Sequence, residues 1–369
     1  MTDDTPNGLR DLRDQLDEVD ARLVELAARR QQLVSEIGRF KQGRGQQLRD
    51  FRRERQVLEL VRARAESVDL DPALAETLFR RLIDASLTRQ EQERARLSGR
   101  GTGHRALIIG GAGRMGAWLA GFLNNQGFDV FLADPLLEDD GEKQFADWRS
   151  APLAVSLIVV AAPLKQTANI IDELVERKVG CLVVEIGSIK TPLIESLHAA
   201  ADAGLRICSL HPMFGPDTRL LSGRHVLVMD AGSPRATTEA AELFAETMAE
   251  LVSIPLAEHD RLISLVLGLS HALNIAFFTA LVRSGVSAEQ LAGISSTTFD
   301  RQLAIARDVA GENPALYHEI QHLNEQGHIA RDALQAAIES LCQAADDPDE
   351  AAMRKLMEEG REYLESLGR

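Results

Sequence analysis

Cysteine is rare in this 369-residue chain. Cys181, Cys208 and Cys342 are an odd set at spacings that match no metal motif, so neither a disulfide framework nor a metal site is expected. Cys181 and Cys208 lie in or beside apolar runs and read as buried, reduced thiols of a cytoplasmic protein. Aromatic residues are also few, at 4%, but Leu, Val, Ile and Ala are plentiful enough to build cores. The opening MTDDTPNGLR lacks the apolar centre of a signal peptide. The apolar runs read as falling short of the ~18 uncharged residues of a membrane span, so no membrane partner is expected.

Basic charge is short in most of the chain. Residues 1–100 hold 20 Lys/Arg against 19 Asp/Glu, a balance of +1, so the remainder carries −16 against the net −15 of the whole chain. That acidic part argues against nucleic acid as a partner. The length suggests two or three domains.

Proline and glycine are sparse at the start: after Pro6 only Pro72 occurs in the first hundred residues, and glycines gather mainly at Gly43 and Gly45. Leu12, Leu16, Val19, Leu23 and Leu26 step by four and three, the pattern of a long packed helix over about 9–41. The Gly43–Gly45 region should end it. A second helix is expected over about 50–66, and a third from Asp71-Pro72, a cap and first-turn pair, to about Arg96. SGRGTGH (98–104) is a linker by composition.

Short apolar runs then alternate with helical stretches: 106–109, 130–132, 157–160, 182–184 and 207–210. Such alternation indicates a parallel sheet. From about Leu262 the pattern is helical again. In ALIIGGAGRMG (106–116), Gly111, Gly113 and Gly116 follow a strand and open a helix, with Arg114 and Met115 inside the turn. This spacing allows a tight turn, close approach of a pyrophosphate and close helix–strand packing. The next strand ends in Asp134, about 20 residues on, where a carboxylate accepts the ribose hydroxyls of NAD and repels a 2′-phosphate. Arg114 nearby weakens that preference over NADP.

Three segments fall where a doubly wound sheet places its ligand: VVAAPL (159–164), VVEIGSIK (183–190) and LHPMFGPD (210–217). His211 suits proton transfer near neutral pH, although alone it fits equally a turn histidine bonded to backbone. Together the segments resemble the prephenate dehydrogenase family over about 104–330. The resemblance implies His211 as the base that takes the ring hydroxyl proton while hydride leaves for NAD, with Ser188 as its neighbour. His271 of GLSHALN (268–274) is implied near the substrate, while His259 of EHD (258–260) fits either the site or a helix cap. Many members carry an Arg after an aromatic to bind a substrate carboxylate. Here Asp300 follows Phe299 and Arg301 comes next, about 100° further around a helix. Arg301 is the candidate, with Arg307 or a partner-chain residue as alternatives, and arogenate becomes the alternative to prephenate as substrate.

In the helical region, extending the heptad from Leu16 and Leu23 puts Arg30 on a core position, costly unless it meets an anion. Lys41 lies about three turns on and shares that face. Asp50, Arg53 and Glu54 share another, and the row Leu74, Leu78, Leu82 continues into Ser86 and Gln90. Spacing alone also fits a salt-bridged hairpin used for dimerisation. LRDQLDEVDARLVEL, RRQQLVSEIGRFK, RDFRRER and SLTRQ, however, resemble the all-helical chorismate mutases across about 9–95. The resemblance implies Arg13 (from the partner subunit) and Arg30 on the substrate carboxylates, and Lys41 and Gln90 on the ether oxygen. It places Arg53 near the ring carboxylate, Glu54 or Asp50 at the hydroxyl, and Ser86 nearby. The rival readings are an isochorismate pyruvate lyase on the same scaffold and a bare oligomerisation module.

The expectation is a multidomain chain: an all-α domain (1–97), an α/β Rossmann-type NAD-binding domain (102–255) and an all-α substrate and dimerisation domain (256–369). It would convert chorismate to prephenate and then to 4-hydroxyphenylpyruvate as a homodimer, with tyrosine as the candidate effector.

Overall fold

The computed structural model describes residues 7–42 and 49–367. Three helices come first: α1 (Asn7–Gln42), α2 (Phe51–Glu66) and α3 (Pro72–Ser98). Asp50 caps α2 by accepting from Arg53 N, and Asp71 caps α3 by accepting from Ala73 N. Each supplies an acceptor for an amide that helix geometry leaves free. Gly99, left-handed at φ 58°, ends α3. The expected stop at Gly43–Gly45 lies outside the described residues. The C-terminal half of α1 packs on α3, but Leu12, Leu16, Val19, Leu23 and Leu26 stay exposed. The apolar row that predicts a packed helix therefore has no cover from the described residues of its own chain.

The middle of the chain runs β1 (Arg105–Ile109), α4 (Arg114–Asn125), β2 (Asp129–Ala133), β3 (Gln144–Phe145), β4 (Leu157–Val160), α5 (Leu164–Glu176), β5 (Leu182–Glu185), α6 (Ile194–Asp202), β6 (Arg206–Pro212), β7 (His225–Asp230), α7 (Pro234–Glu242) and β8 (Glu250–Ser253). The strands form one sheet in the order β3-β2-β1-β4-β5-β6-β7-β8. Successive residues of β1 point to opposite faces. Leu107 and Ile109 join the layer of α5 and α6, and Ala106 and Ile108 join that of α4 and α7. The expected parallel sheet needs one correction: β7 runs antiparallel to β6. The connection 213–224 contains no helix, and a parallel return needs a crossover of about a dozen residues or more, usually helical. After α7 supplies such a crossover, β8 is parallel to β7 again.

The remainder is helical: α8 (Leu256–Ile263), α9 (Ser270–Arg283), α10 (Ala288–Gly293), α11 (Thr297–Ala310), α12 (Pro314–His322), α13 (Gly327–Asp346) and α14 (Ala351–Leu367). A π-helical turn, Ser264–Leu269, joins α8 to α9 in one 28-residue helix. This overturns the expectation that no apolar stretch is long enough to span a membrane. No Asp, Glu, Lys or Arg falls between Arg261 and Arg283, and the helix is sufficient by length and composition. It packs, however, against α11 and α13, and its buried Asn274 accepts from Gln302 Nε2 at 2.9 Å. These are the contacts of a helix within a folded domain. Cys181 and Cys208 are buried thiols, while Cys342 is exposed on α13.

The first helices dock on the sheet domain through the loop before β7 and the segment before β8. Leu58, Ile83 and Leu87 meet Leu220 and Met248. Buried Glu91 accepts from Leu221 N at 3.0 Å and from Met248 N at 2.5 Å, and burial raises its pKa. Arg49 donates to Ser222 Oγ at 2.7 Å, and Arg94 pairs with Glu246. Replacing Glu91 with Ala leaves two buried amides without acceptors, at a cost of about 2 kcal/mol. Denaturant unfolding should show that loss, and a smaller one for Glu91→Gln, which keeps one acceptor.

Candidate active sites

β1 passes into the glycine turn at the point where the sheet order reverses, with β2 on one side of it and β4 on the other, the crevice that binds ligands in such sheets. A Cβ on Gly116 would sit 2.2 Å from Gly110 O, and one on Gly111 would sit 2.9 Å from Leu132 Cβ, so bulkier residues would force turn, helix and strand apart. Gly113 caps α4 without a side-chain bond, which leaves the first amides of the helix for an anion. Met115 is half-buried behind them. Asp134 accepts from Ala112 N at 3.2 Å and from Leu136 N at 2.9 Å. The turn therefore fixes its carboxylate at the mouth of the crevice, with lone pairs to spare. Arg114 is committed elsewhere, pairing with Glu312 at 2.7 Å and Asp217 at 2.8 Å. The residues present fit a dinucleotide, and the arginine that weakens the preference for NAD is partly neutralised.

Beside this crevice lies a buried polar cluster. Lys190 Nζ donates to Glu185 Oε2 (2.9 Å), Gly187 O (2.6 Å) and Leu210 O (2.9 Å), with both side chains of the ion pair fully buried. Ser209 Oγ donates to Glu185 Oε2 at 2.8 Å. One ammonium thus ties the turn that carries Ser188 to the strand end that carries His211. His211 stands within β6, opposite Leu227 of β7, so ladder bonds hold it more firmly than the loop expected from sequence.

His211 Nδ1 lies 2.9 Å from His259 Nε2, and His259 Nδ1 lies 2.6 Å from Asp260 Oδ1. Burial, then the charge of Lys190, then His259 hold the His211 pKa well below the ordinary histidine value. Burial raises the Asp260 pKa, but bonds from His259, Thr191 and the amides of Lys190 and Thr191 outweigh it and hold the carboxyl ionised. His211 is therefore neutral at physiological pH, as a general base must be. Half-buried Ser188 makes no hydrogen bond to His211. His271 is on α9, its ring 4.4 Å from that of Tyr317, its Nδ1 buried without a partner among the described residues and its pKa lowered by burial. Arg301 is exposed on α11, one position before the inward-facing Gln302, and Asp300 is bonded to Ser295.

The second set of predicted residues lies on the first three helices. Arg30 crosses from α1 to donate to Leu82 O (3.2 Å) and Ser86 Oγ (3.1 Å), and burial lowers its pKa. Buried Ser86 also lies 2.9 Å from Gln31 Oε1. Gln90 donates to Val34 O at 2.7 Å, across the gap that Gly38 leaves. Both oxygens of Glu54 accept from Arg49 at 2.9 and 3.0 Å. Asp50 serves as a helix cap, Arg53 is exposed, and Lys41 is half-buried in the last turn of α1. Arg13 is exposed, and 17 residues of helix put it ~26 Å along the axis from Arg30. The structure thus brings Arg30, Ser86 and Gln90 to the α1–α3 seam and leaves Arg13 far from them.

The type II chorismate mutase family matches residues 12–91. The nucleotide-binding domain of prephenate dehydrogenase matches 136–252, and its dimerization domain matches 255–359. The chain is a chorismate mutase joined to a prephenate dehydrogenase. The dehydrogenase match begins after Asp134, so the glycine turn rests on its own geometry. The T-protein of Enterobacter agglomerans is 29% identical over 320 residues, covering 84% of this chain and 80% of the relative. The T-protein of Haemophilus influenzae is 25% identical, covering 85% and 80%. A crystal structure of prephenate dehydrogenase from A. aeolicus, with hydroxyphenyl propionate and NAD+, shares the fold at a TM-score of 0.55 and 19% identity, covering 72% of this chain and 96% of that one.

The dehydrogenase residues that sequence reasoning overlooked are Glu185, Lys190 and Asp260. Glu185 carries a signal: a charge at the end of an apolar strand demands a buried partner, and Lys190 five residues on supplies it. Lys190→Met should cost about 3–5 kcal/mol, because it strands a buried carboxylate. The double variant Glu185→Gln/Lys190→Met should recover much of that loss. Chemical denaturation of the three proteins checks both expectations.

Proposed function

We propose that the chain rearranges chorismate to prephenate in its helical domain and oxidatively decarboxylates prephenate to 4-hydroxyphenylpyruvate in its dehydrogenase part. The observation that carries the second half is His211, neutral and hydrogen-bonded at Nδ1, beside a nucleotide crevice. It leaves Nε2 without a partner among the described residues. The glycine turn and Asp134 would hold NAD, which would supply the hydride acceptor. His211 Nε2 takes the proton of the C4 hydroxyl, so the carbinol becomes a ketone. The ring is then a vinylogous β-keto acid, and it loses CO2 to become aromatic. Ser188 orients the hydroxyl, His271 faces the substrate with its spare Nδ1, and the uncommitted Arg301 is assigned a substrate carboxylate.

The mutase half needs no proton transfer or nucleophile, because the rearrangement is pericyclic. Holding the dianion in its compact form and placing donors at the ether oxygen suffice. Arg30 and Arg53 are assigned to carboxylates, Lys41 and Gln90 to the ether oxygen, and Glu54 or Asp50 to the hydroxyl, with Ser86 supporting Arg30. Arg13 serves the site of a second copy, which would also cover the exposed leucine row of α1. The homodimer follows from that need and from the dimerization-domain match. Tyrosine, the amino acid made from the product, is the candidate effector. A cytoplasmic location fits the free thiols.

The direct test is reduced-NAD absorbance with chorismate as the sole organic substrate, where a rise requires both activities. No rise with chorismate or prephenate, but a rise with arogenate, would reassign the substrate. Arg30→Ala should cut chorismate turnover by about 10²-fold or more while leaving the oxidation of added prephenate intact. Equal chorismate turnover in that variant would reduce the helical domain to an oligomerisation module. Because His211 is held neutral by burial, the acid limb of dehydrogenase kcat/KM should lie below pH 6.5, the ordinary histidine value, as a pH–rate profile would show.

A further inference from the structure

Two histidines and an aspartate in a row leave little freedom in where their protons sit. Asp260 Oδ1 accepts from Lys190 N at 2.8 Å, and Oδ2 accepts from Thr191 N at 2.7 Å and Thr191 Oγ1 at 2.5 Å. Its backbone carbonyl accepts from buried Asn324 at 2.9 Å, which fixes α8 against the segment after α12. An ionised carboxylate can only accept, so the proton between His259 and Asp260 belongs to His259 Nδ1. Burial holds His259 neutral even beside Asp260, so its Nε2 carries a lone pair. The proton in the 2.9 Å contact between the rings therefore belongs to His211 Nδ1. It follows that His211 Nε2 is bare.

We propose that Asp260, acting through His259, is the positioning residue that holds His211 in its Nδ1–H tautomer and so presents Nε2 as the base. The inference rests on the dehydrogenase reading above for its purpose, but the proton assignment stands on the resting protein alone. When Nε2 takes the hydroxyl proton, His211 becomes an imidazolium that keeps its Nδ1–H bond to His259. The positive charge can pass on by transfer of that Nδ1 proton to His259 Nε2, and Asp260 then faces the charged ring. The proton count is conserved, and no group outside the chain is involved. The other charges around the rings are Lys190, which disfavours protonation of both, and Glu185, which favours protonation of His259. Asp260 is the carboxylate in direct contact with either ring. Without it, nothing in the row dictates the tautomer, and His259 could turn its own N–H toward His211 and drive the proton onto Nε2.

The experiment is a long-range nitrogen–proton spectrum of the resting full-length enzyme, with His211 assigned by the resonances missing from His211→Gln. The expected result is a protonated Nδ1 and an unprotonated Nε2. A proton on Nε2 in the wild-type protein overturns the proposal, whatever the enzyme's substrate turns out to be. Asp260→Asn should shift His211 toward the Nε2–H form and lower dehydrogenase kcat about 10²-fold or more, with little change in KM and with mutase turnover intact. An unchanged tautomer and kcat in that variant also overturn it. Since Asp260 also accepts from two backbone amides, the pair His259→Gln and His259→Leu provides a second route if Asp260→Asn does not fold. Gln places an amide oxygen near the lost Nε2 and should restore part of the turnover that Leu abolishes. Equal turnover in the two variants counts against the relay. Absence of dehydrogenase activity in the wild type, with the Nδ1–H tautomer present, would instead remove the functional reading and leave the tautomer assignment standing.

Discussion

The ion pair of Lys190 and Glu185 is the constraint on which the dehydrogenase half depends. An ammonium enclosed in a parallel sheet is costly unless every proton is matched. Here one carboxylate and two carbonyls, Gly187 O and Leu210 O, match it. Those carbonyls belong to the turn after β5 and to the residue before His211. The charge cannot leave without unfastening both, so the spacing between the Ser188 turn and the His211 strand end is fixed by electrostatics as well as by packing. The same charge helps keep both histidines neutral. One buried cation therefore bears on both the position and the protonation state of His211.

The helical half follows a different logic. Its cations lie at separate depths, with Arg13, Arg30 and Lys41 spread along α1 and Arg53 on α2. Arg30 is drawn into a seam with Ser86, whereas Arg13 stands on the bare part of α1. On the proposed reading, such scattered groups suit a reaction that needs only a shaped, positively charged enclosure. The row of His211, His259 and Asp260 is built differently: its atoms agree to within a hydrogen bond, and one chain's sheet and one helix supply them.

Much of the fold was legible because it follows from periodicity. The three opening helices, five of the six strands of the parallel part and the glycine turn sit where spacing put them. The antiparallel β7 was not legible, because HVLVMD carries no direction and only the lack of a helix in 213–224 fixes it. The span-like helix through Ser264–Leu269 escaped notice because its polar serines, asparagine and histidine break the apolar run to the eye without adding charge. At the sites, family likeness supplied residue types, and geometry supplied their relations. His259 was undecided between cap and site until Asp260 showed which way its ring faces. Ser188 and Arg301 show the reverse case: the residue type is present, but Ser188 makes no hydrogen bond to His211 and Arg301 is exposed on α11.

The loop between Pro212 and β7 has a consequence for how the chain can be divided. It begins at His211, contacts the nucleotide turn through Asp217 and Arg114, and ends under the first domain, where Leu221 meets Glu91 and Ser222 meets Arg49. Cutting at the linker between α3 and β1 would not release two finished modules. The dehydrogenase fragment would lose the cover of Leu220 and Met248 and the acceptor for two amides, that of Leu221 in the loop leading from His211 and that of Met248 before β8. The helical fragment would carry an apolar patch and an uncovered carboxylate. The boundary that composition draws at residues 98–104 is thus a covalent hinge but not a line of mechanical independence.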